Sequence, residues 1–359
     1  MTRARHLSIS TSMVKIAVIP GDGIGIEVTH EAMKVLQVVN EKFSLGIELE
    51  HLDYGAERYL KDGTTLPKGE IERFRKEIDA VYLGALGDPR IPDMIHGREI
   101  LLGMRFELDL FINFRPVRCF SDSLCPLKNK VASDIDFTVF RENTEGIYVG
   151  MGGNFKKGTP HEIAINEDVN TRMGVERIIR AAFAFAKANG HSKVTMADKS
   201  NAIRFAHDLW QRVFAEVGEE YPEIEKEHLY VDALAMMLIK CPERFEVIVT
   251  NNLFGDIITD IGAQLQGGMG MAGSGNINPD GVSLFEPVHG SAPDLDKNQA
   301  NPIAAILTVE MMLDHLGFKD AAKTIGEAVL AFLAQGSMPL ELGGLMGTQE
   351  VGDGVAALI

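Results

Sequence analysis

A β-branched run, Val14–Ile19, ends in PGDGIG at 20–25 and passes directly into a helical pattern through Val28, Met33, Val35 and Leu36. Strand, tight turn and helix in immediate succession mark an α/β chain, and the pattern recurs. Asp79–Leu86 repeats the passage from strand to glycine, and Phe137–Phe140, Lys193–Ala197 and Glu246–Thr250 read as further buried strands. Amphipathic helices lie between them, best seen at Val175, Ile178, Ile179, Ala182 and Phe185, before a stop at Asn189 and Gly190. Strands alternating with helices imply an α/β fold. The glycine-rich stretch Gln266–Gly281 reads as a boundary or mobile loop. Beyond it Pro302–Leu316 and Ala321–Phe332 read as packed helices whose methionines fill a core.

Composition narrows the function classes. The 359 residues suffice for two domains or a two-lobed unit, and 35 Lys+Arg against 51 Asp+Glu leave a net charge of −16. That field repels nucleic acid and anionic membranes, because phosphate recognition needs clustered cations. No apolar run reaches the roughly 18–20 residues of a spanning helix. Cys119, Cys125 and Cys241 have neither metal-ligand spacing nor an even count, which predicts a reducing cytoplasm. Residues 1–12 carry Arg3 and Arg5 without acids, a weak likeness to organelle-targeting segments; Met13 at the first strand favours a flexible extension or an alternative start.

Several residues carry candidate chemistry. Gly21, Gly23 and Gly25 suit a structural turn, and their spacing is not the G-x-G-x-x-G of a dinucleotide fingerprint. Asp256 and Asp260 stand i, i+4 on one helix face, where like charges repel by about 0.2–0.5 kcal/mol. Helix-dipole compensation suits Asp256 more than Asp260, whereas a divalent cation such as Mg²⁺ or Mn²⁺ would turn repulsion into ligation. Arg105, Arg115 and Arg141 each sit among apolar residues; together they could grip a di-acid, singly each would be an ion pair. Lys199 follows a strand end, where α/β folds place their chemistry.

Taken together the segments resemble the β-decarboxylating dehydrogenases, the family of isocitrate, 3-isopropylmalate, homoisocitrate and tartrate/D-malate dehydrogenases. The likeness runs from Met13 to the C-terminus, through PGDGIG at 20–25, LLGMR at 101–105, NFRP at 113–116 and RENTEGIY at 141–148. It continues through DKSN at 198–201, VDALAM at 231–236, NLFGDIITD at 252–260 and FEPVHGSAPD at 285–294. The resemblance implies a non-Rossmann two-domain α/β fold with a mixed central sheet flanked by helices. A large cofactor domain would span 13–110 and 267–359, and a small domain 111–266 would carry the dimer interface.

Carried onto these positions, the family pattern implies that Arg105, Arg115 and Arg141 hold the substrate carboxylates and that Asp232, Asp256 and Asp260 surround the metal. Tyr148 and Lys199, with Asp232, become the catalytic residues. The resemblance further implies a homodimer in which Lys199 and Asp232 reach the neighbouring subunit's site. Glu286, His289, Gly290, Ser291, Ala292, Asp294 and Asn301 would bind the cofactor. Asp294 and Leu295 stand where NADP-using relatives carry a Lys-Tyr pair; a carboxylate accepts from ribose hydroxyls and repels a 2′-phosphate, so NAD is expected.

The resemblance implies that Leu101 and Leu102 lie on the helix face that meets the C3 substituent, where two apolar side chains favour 3-isopropylmalate over isocitrate. RENTEG, DKSN and GTPHEIAI at 158–165 are more similar to tartrate/D-malate enzymes, and Arg98 and Glu99 match neither pattern. A silent regulatory subunit should have lost part of the constellation, and none of it is lost.

Overall fold

The computed structural model describes residues 13–336 and 338–359; the reading of 1–12 as an extension lies outside them. Its strands are β1 (Val14–Gly21), β2 (Ile47–His51), β3 (Ala80–Ala85), β4 (Ile112–Arg118), β5 (Asp136–Glu142) and β6 (Gly152–Phe155). There follow β7 (Ile163–Asn166), β8 (Lys193–Asp198), β9 (Glu225–Tyr230), β10 (Val247–Thr250), β11 (Gly273–Ile277) and β12 (Ser283–Pro287). Ten of them form one sheet, ordered β2-β1-β3-β12-β11-β4-β5-β10-β8-β9, while β6 and β7 make a separate hairpin.

The sheet is mixed, as the family resemblance implies. β2, β1, β3 and β12 run parallel, and so do β5, β10, β8 and β9. Between these groups the steps β12 to β11, β11 to β4 and β4 to β5 are all antiparallel. Three reversals in succession leave the two parallel groups pointing in opposite directions.

Helices cover both faces, so successive strand residues feed different cores. Ile16 and Val18 pack with the helices Ile24–Phe43, Ile303–His315 and Lys319–Ala334, while Ala17 and Ile19 turn to Phe74, Ile100 and Met104. Val247 and Val249 meet the helices Arg172–Asn189 and Arg204–Gly218, while Ile248 meets Leu234, Leu238 and Ile258. Every buried member of the first two cores precedes residue 111 or follows 266, and every buried member of the other two lies between those limits.

One sequence expectation is overturned. Gln266–Gly281 is not a loose loop: β11 occupies Gly273–Ile277 at the centre of the sheet. Its glycines answer to close packing, since a Cβ on Gly275 would lie 3.1 Å from the Met311 sulfur and 3.2 Å from the Phe285 ring. Pro116 sits inside β4 at a place β11 no longer reaches, because β11 pairs only with Ile112–Phe114. Its missing N–H therefore breaks no ladder on that side. Among the described residues no helix is long and apolar enough to cross a membrane.

PGDGIG is a structural turn. Gly23 has φ of 53°, and a Cβ there would lie 2.2 Å from the Ser291 carbonyl oxygen. That carbonyl accepts the N–H of Ile24, first residue of the helix Ile24–Phe43, at 3.0 Å. Asp22, 5 % exposed, accepts the N–H groups of Ala56 at 2.6 Å and Gly87 at 2.8 Å and lies 2.9 Å from His96 Nε2. Asp22→Ala leaves two buried N–H groups unpaired, and we expect a loss of about 2–4 kcal/mol in urea unfolding. Asp22→Asn, which keeps an acceptor oxygen, should lose less.

Candidate active site

Three strands and two helices bring the arginines together. Arg141 lies near the end of β5, 1 % exposed, and its stem fills the space beside Gly255: a Cβ there would sit 2.4 Å from Arg141 Cγ. Its guanidinium donates to Asn252 Oδ1 at 2.7 Å and 3.1 Å and pairs with Asp256. Arg115, in the middle of β4, donates to Asn113 Oδ1 at 2.8 Å and to Thr259 Oγ1 at 3.0 Å. Arg105, on the short helix Gly103–Glu107, donates to Glu286 Oε1 at 3.1 Å, while its Nε is buried without a partner.

The cations feel one another. Burial pulls Arg115 below its ordinary value; burial, then Arg115 and Arg105, pull Arg141 down to about 10. Arg141 therefore stays charged at neutral pH. Three guanidiniums face Asp256, Glu286 and Asp260, so the cleft holds as many cations as carboxylates and gathers N–H donors of the kind that grip a di-acid. A polar layer of Asn113, Asn143, Asn276 and Ser274 lies beside them. The sequence reading missed this layer because asparagines on strands carry no signal until their neighbours are known.

Tyr148 and the aspartates adjoin this cluster. Tyr148 Oη donates to Asp256 Oδ2 at 2.9 Å, and the Arg141 guanidinium stands 5.3 Å from its ring centre. Burial pushes the Tyr148 phenol up, and Asp256's charge adds to it. Burial also acts to raise Asp256, but Arg141 and Arg115 outweigh it and hold the carboxyl below the usual range. Asp260, one turn along the helix Asn252–Leu265, is raised by burial and by Asp256; among the described residues its side chain makes no hydrogen bond or ion pair.

Lys199 and Asp232 form a separate pair. Lys199 follows β8, Asp232 opens the helix Val231–Lys240 after β9, and Nζ lies 2.6 Å from Asp232 Oδ1. Neither makes a hydrogen bond or ion pair with Tyr148, Asp256 or Asp260 in the same chain. Among the described residues no three acidic, His or Cys side chains gather as a metal site. Within one chain the Lys199–Asp232 pair and the Tyr148–Asp256 pair share no hydrogen bond.

The segment after β12 borders a cavity of about 520 Å³ lined by His289, Gly290, Ala292, Leu295, Asn301 and Glu341. His289 Nε2 is buried there without a partner, and burial lowers the imidazole's pKa. Ala292 holds φ of 41°, a strained conformation for a residue with a side chain. Ser291 lines an adjoining cavity with Gly87 and Asp88, and Asp294 is exposed. Glu286 does not line the large cavity: it is bound to Arg105 and accepts from Asn276 at 2.8 Å. Glu341, unflagged by any sequence motif, accepts from Gly270 N at 3.1 Å and from the Asn301 amide at 3.0 Å.

Leu101 and Leu102 lie on a π-helical turn, Arg98–Leu102, that runs into the Arg105 helix. Such turns are frequent at functional sites. Leu101 packs on the Ile100 and Met104 core; Leu102, half-buried, joins none of the four cores. It stands three residues before Arg105 and so shares its helix face.

Comparison with known proteins places the chain in a family. The isocitrate/isopropylmalate dehydrogenase profile matches residues 15–355. The chain belongs to that family. It is 48% identical over 351 residues to a 3-isopropylmalate dehydrogenase of Thermobifida fusca, with 97% of this chain and 98% of the relative covered. It is 45% identical to that of Streptomyces coelicolor, covering 96% and 98%. The crystal structure of isocitrate dehydrogenase from Methylococcus capsulatus superposes with a TM-score of 0.86 at 34% identity, covering 96% of this chain and 99% of that one. This member of the isocitrate/isopropylmalate dehydrogenase family is accordingly an oxidoreductase acting on a CH–OH group.

Proposed function

We propose that the chain catalyses the NAD- and divalent-metal-dependent oxidative decarboxylation of 3-isopropylmalate. One observation carries the substrate: Leu102, outside every core, shares a helix face with Arg105, so an apolar surface adjoins the cluster of three guanidiniums. The relatives named 3-isopropylmalate dehydrogenase support the same reading. A second reading, D-malate or tartrate, is favoured by Arg98. Glu99 is tied to Thr65 Oγ1 at 2.9 Å, whereas Arg98 is exposed, makes no side-chain hydrogen bond among the described residues, and could close the pocket.

The donor set fits a cation. Asp256 and Asp260 offer hard oxygens one turn apart, and burial together with the Asp256 charge raises Asp260, whose carboxylate accepts no hydrogen bond among the described residues. When bound with Asp232 of a second subunit, the cation would supply positive charge where negative charge develops on the substrate oxygen at C2. NAD⁺, its adenosine end in the cavity beside His289 and Asn301 and its ribose on Asp294, would accept the hydride.

The chain's own residues do the rest. The arginines pin the carboxylates, with Arg105 kept in aim by Glu286. Lys199 from the second subunit, with Asp232 beside it, takes the C2 hydroxyl proton as hydride leaves C2; the bond from C3 to its carboxylate then breaks and CO₂ departs. Tyr148, kept protonated by its raised pKa, delivers a proton to C3.

The homodimer and shared site are supported by what one chain leaves open. Met236 is 67 % exposed, and Ile239 and Ile257 are also exposed, on the helices that bear Asp232 and Asp256. The hairpin β6–β7 presents Phe155, 61 % exposed, with Ile163 and Ile165 to solvent, and two strands alone are marginal. A second copy would cover both. We assign residues 13–110 with 267–359 and residues 111–266 to two domains, in line with the core partition, and place the enzyme in the cytoplasm, in keeping with three free cysteines.

Four measurements test this reading. Excess EDTA should abolish turnover, and Mn²⁺ or Mg²⁺ should restore it. Because Asp260's folded pKa is raised, its charge destabilises the metal-free fold above that pKa. Asp260→Asn should therefore raise Tm at pH 7 in EDTA, by less as pH falls through the raised value, and Mn²⁺ should stabilise the wild type more than the variant. Asp294→Lys with Leu295→Tyr should lower kcat/KM for NAD⁺ and raise it for NADP⁺; a wild type preferring NADP⁺ would overturn the ribose argument. Leu102→Ala should cost about 1.4–3 kcal/mol, tenfold or more in kcat/KM for 3-isopropylmalate, with D-malate nearly unchanged. Equal losses would reduce Leu102 to a helix support.

A further inference from the structure

His207 has no place in the chemistry above, yet no part of its side chain is exposed. It lies in the first turn of the helix Arg204–Gly218, and its ring meets Phe254 edge-on at 5.6 Å. Nδ1 accepts the backbone N–H of Lys199 at 2.8 Å. An accepting Nδ1 carries no proton, so in the neutral ring the proton sits on Nε2. That nitrogen faces Asp168 Oδ2 at 3.9 Å, an oxygen buried with no hydrogen-bond partner. The side-chain amide of Asn251, whose oxygen caps the helix Asn252–Leu265 through Phe254 N–H at 2.9 Å, lies 3.2 Å from the same nitrogen.

The Asn251 NH₂ and the ring Nε2–H are both donors and do not bond, so the imidazole is held by its Nδ1 contact to the Lys199 backbone N–H and by packing on Phe254. The Lys199 carbonyl is held as well, accepting from Ala202 N at 2.9 Å and Ile203 N at 2.8 Å. Trp210, one turn further along His207's helix, donates to Asn170 Oδ1 at 2.8 Å and fastens the segment that carries Asp168. Burial keeps His207 below its ordinary pKa, hence neutral and able to accept.

We propose that His207 is the positioning residue for Lys199, fixing the turn from which its side-chain nitrogen is delivered into the partner subunit's site. The inference rests on the reading of Lys199 as a base working across the dimer. A lysine stem has four rotatable carbons, so the aim of Nζ depends on where its Cα is held. Displacement by about an ångström can cost on the order of a hundredfold in rate.

The test uses the dimeric enzyme with NAD⁺, Mn²⁺ and 3-isopropylmalate. His207→Phe keeps an aromatic ring but no acceptor, and should lower kcat roughly 10–100-fold with KM changed less than about threefold. His207→Asn places an oxygen where Nδ1 stood and should recover most of kcat, a rescue that lost packing alone would not produce. A folded His207→Phe with wild-type kcat, or an Asn variant no better than Phe, overturns the proposal.

Hybrids separate it from the reading beneath it. In a heterodimer of His207→Phe with Tyr148→Phe, one site combines an intact Tyr148 with a Lys199 held by a native His207, and about half the wild-type rate should return. With Lys199→Met as partner, the sole complete site takes its lysine from the His207→Phe chain and should stay slow. Equal rescue in both hybrids counts against positioning. A Lys199→Met and Tyr148→Phe heterodimer that stays inactive after verified exchange would sink site sharing alone. His207 would then be judged by the Phe and Asn homodimers.

Discussion

A full positive charge buried at the end of a central strand is the constraint around which the rest of this structure is arranged. Arg141 can stay ionised inside the molecule only because Asn252 and Asp256 take its N–H groups and Tyr148 offers its ring face. Each partner is fixed by that requirement. Gly255 must lack a side chain so that the arginine stem can pass, and the helix Asn252–Leu265 must begin where it does so that Asn252 and Asp256 meet the guanidinium. The carboxylate that neutralises Arg141 is also the acceptor for the Tyr148 hydroxyl.

The sheet topology supplies the setting. Two parallel groups of opposite direction are joined by antiparallel strands, and Arg115 stands on one of these, β4, beside Arg141 on β5. The third guanidinium comes from the helix Gly103–Glu107, on the other side of the core partition, and is held by Glu286 at the end of β12. The three guanidiniums thus meet where cores drawn from different stretches of the chain adjoin. Lys199 and Asp232 lie at the ends of β8 and β9, apart from that junction, and pair with each other. Their separation from Asp256 and Asp260 within one chain is the geometric reason for reading the molecule as half of a larger site.

Much of this was legible in the sequence, for definite reasons. Strand-to-glycine-to-helix passages such as Val14–Gly25 are local patterns, and the structure keeps them as β1 and the helix Ile24–Phe43. β9 was not legible because an edge strand faces solvent and keeps its charges, in the run EKEHLY. β11 was misread because glycine has two uses, freedom and closeness, and sequence alone does not distinguish them. At Gly275 the reason is the approach of Met311 and Phe285.

The sequence by itself determined the alternation of elements, the excess of acid, and the placing of arginines and aspartates among apolar neighbours, because these depend on residues within a few positions of one another. Tertiary structure alone decided that Arg105 meets Glu286 across 181 positions and Arg141 meets Asp256 across 115. It also decided that Leu102 stays out of the core that takes Leu101, and that His207 closes on the backbone of Lys199. Whether a buried charge or a buried imidazole is paired depends on groups that only packing brings within a few ångströms. Hydrogen bonds and desolvation act over that range, whatever the distance along the chain.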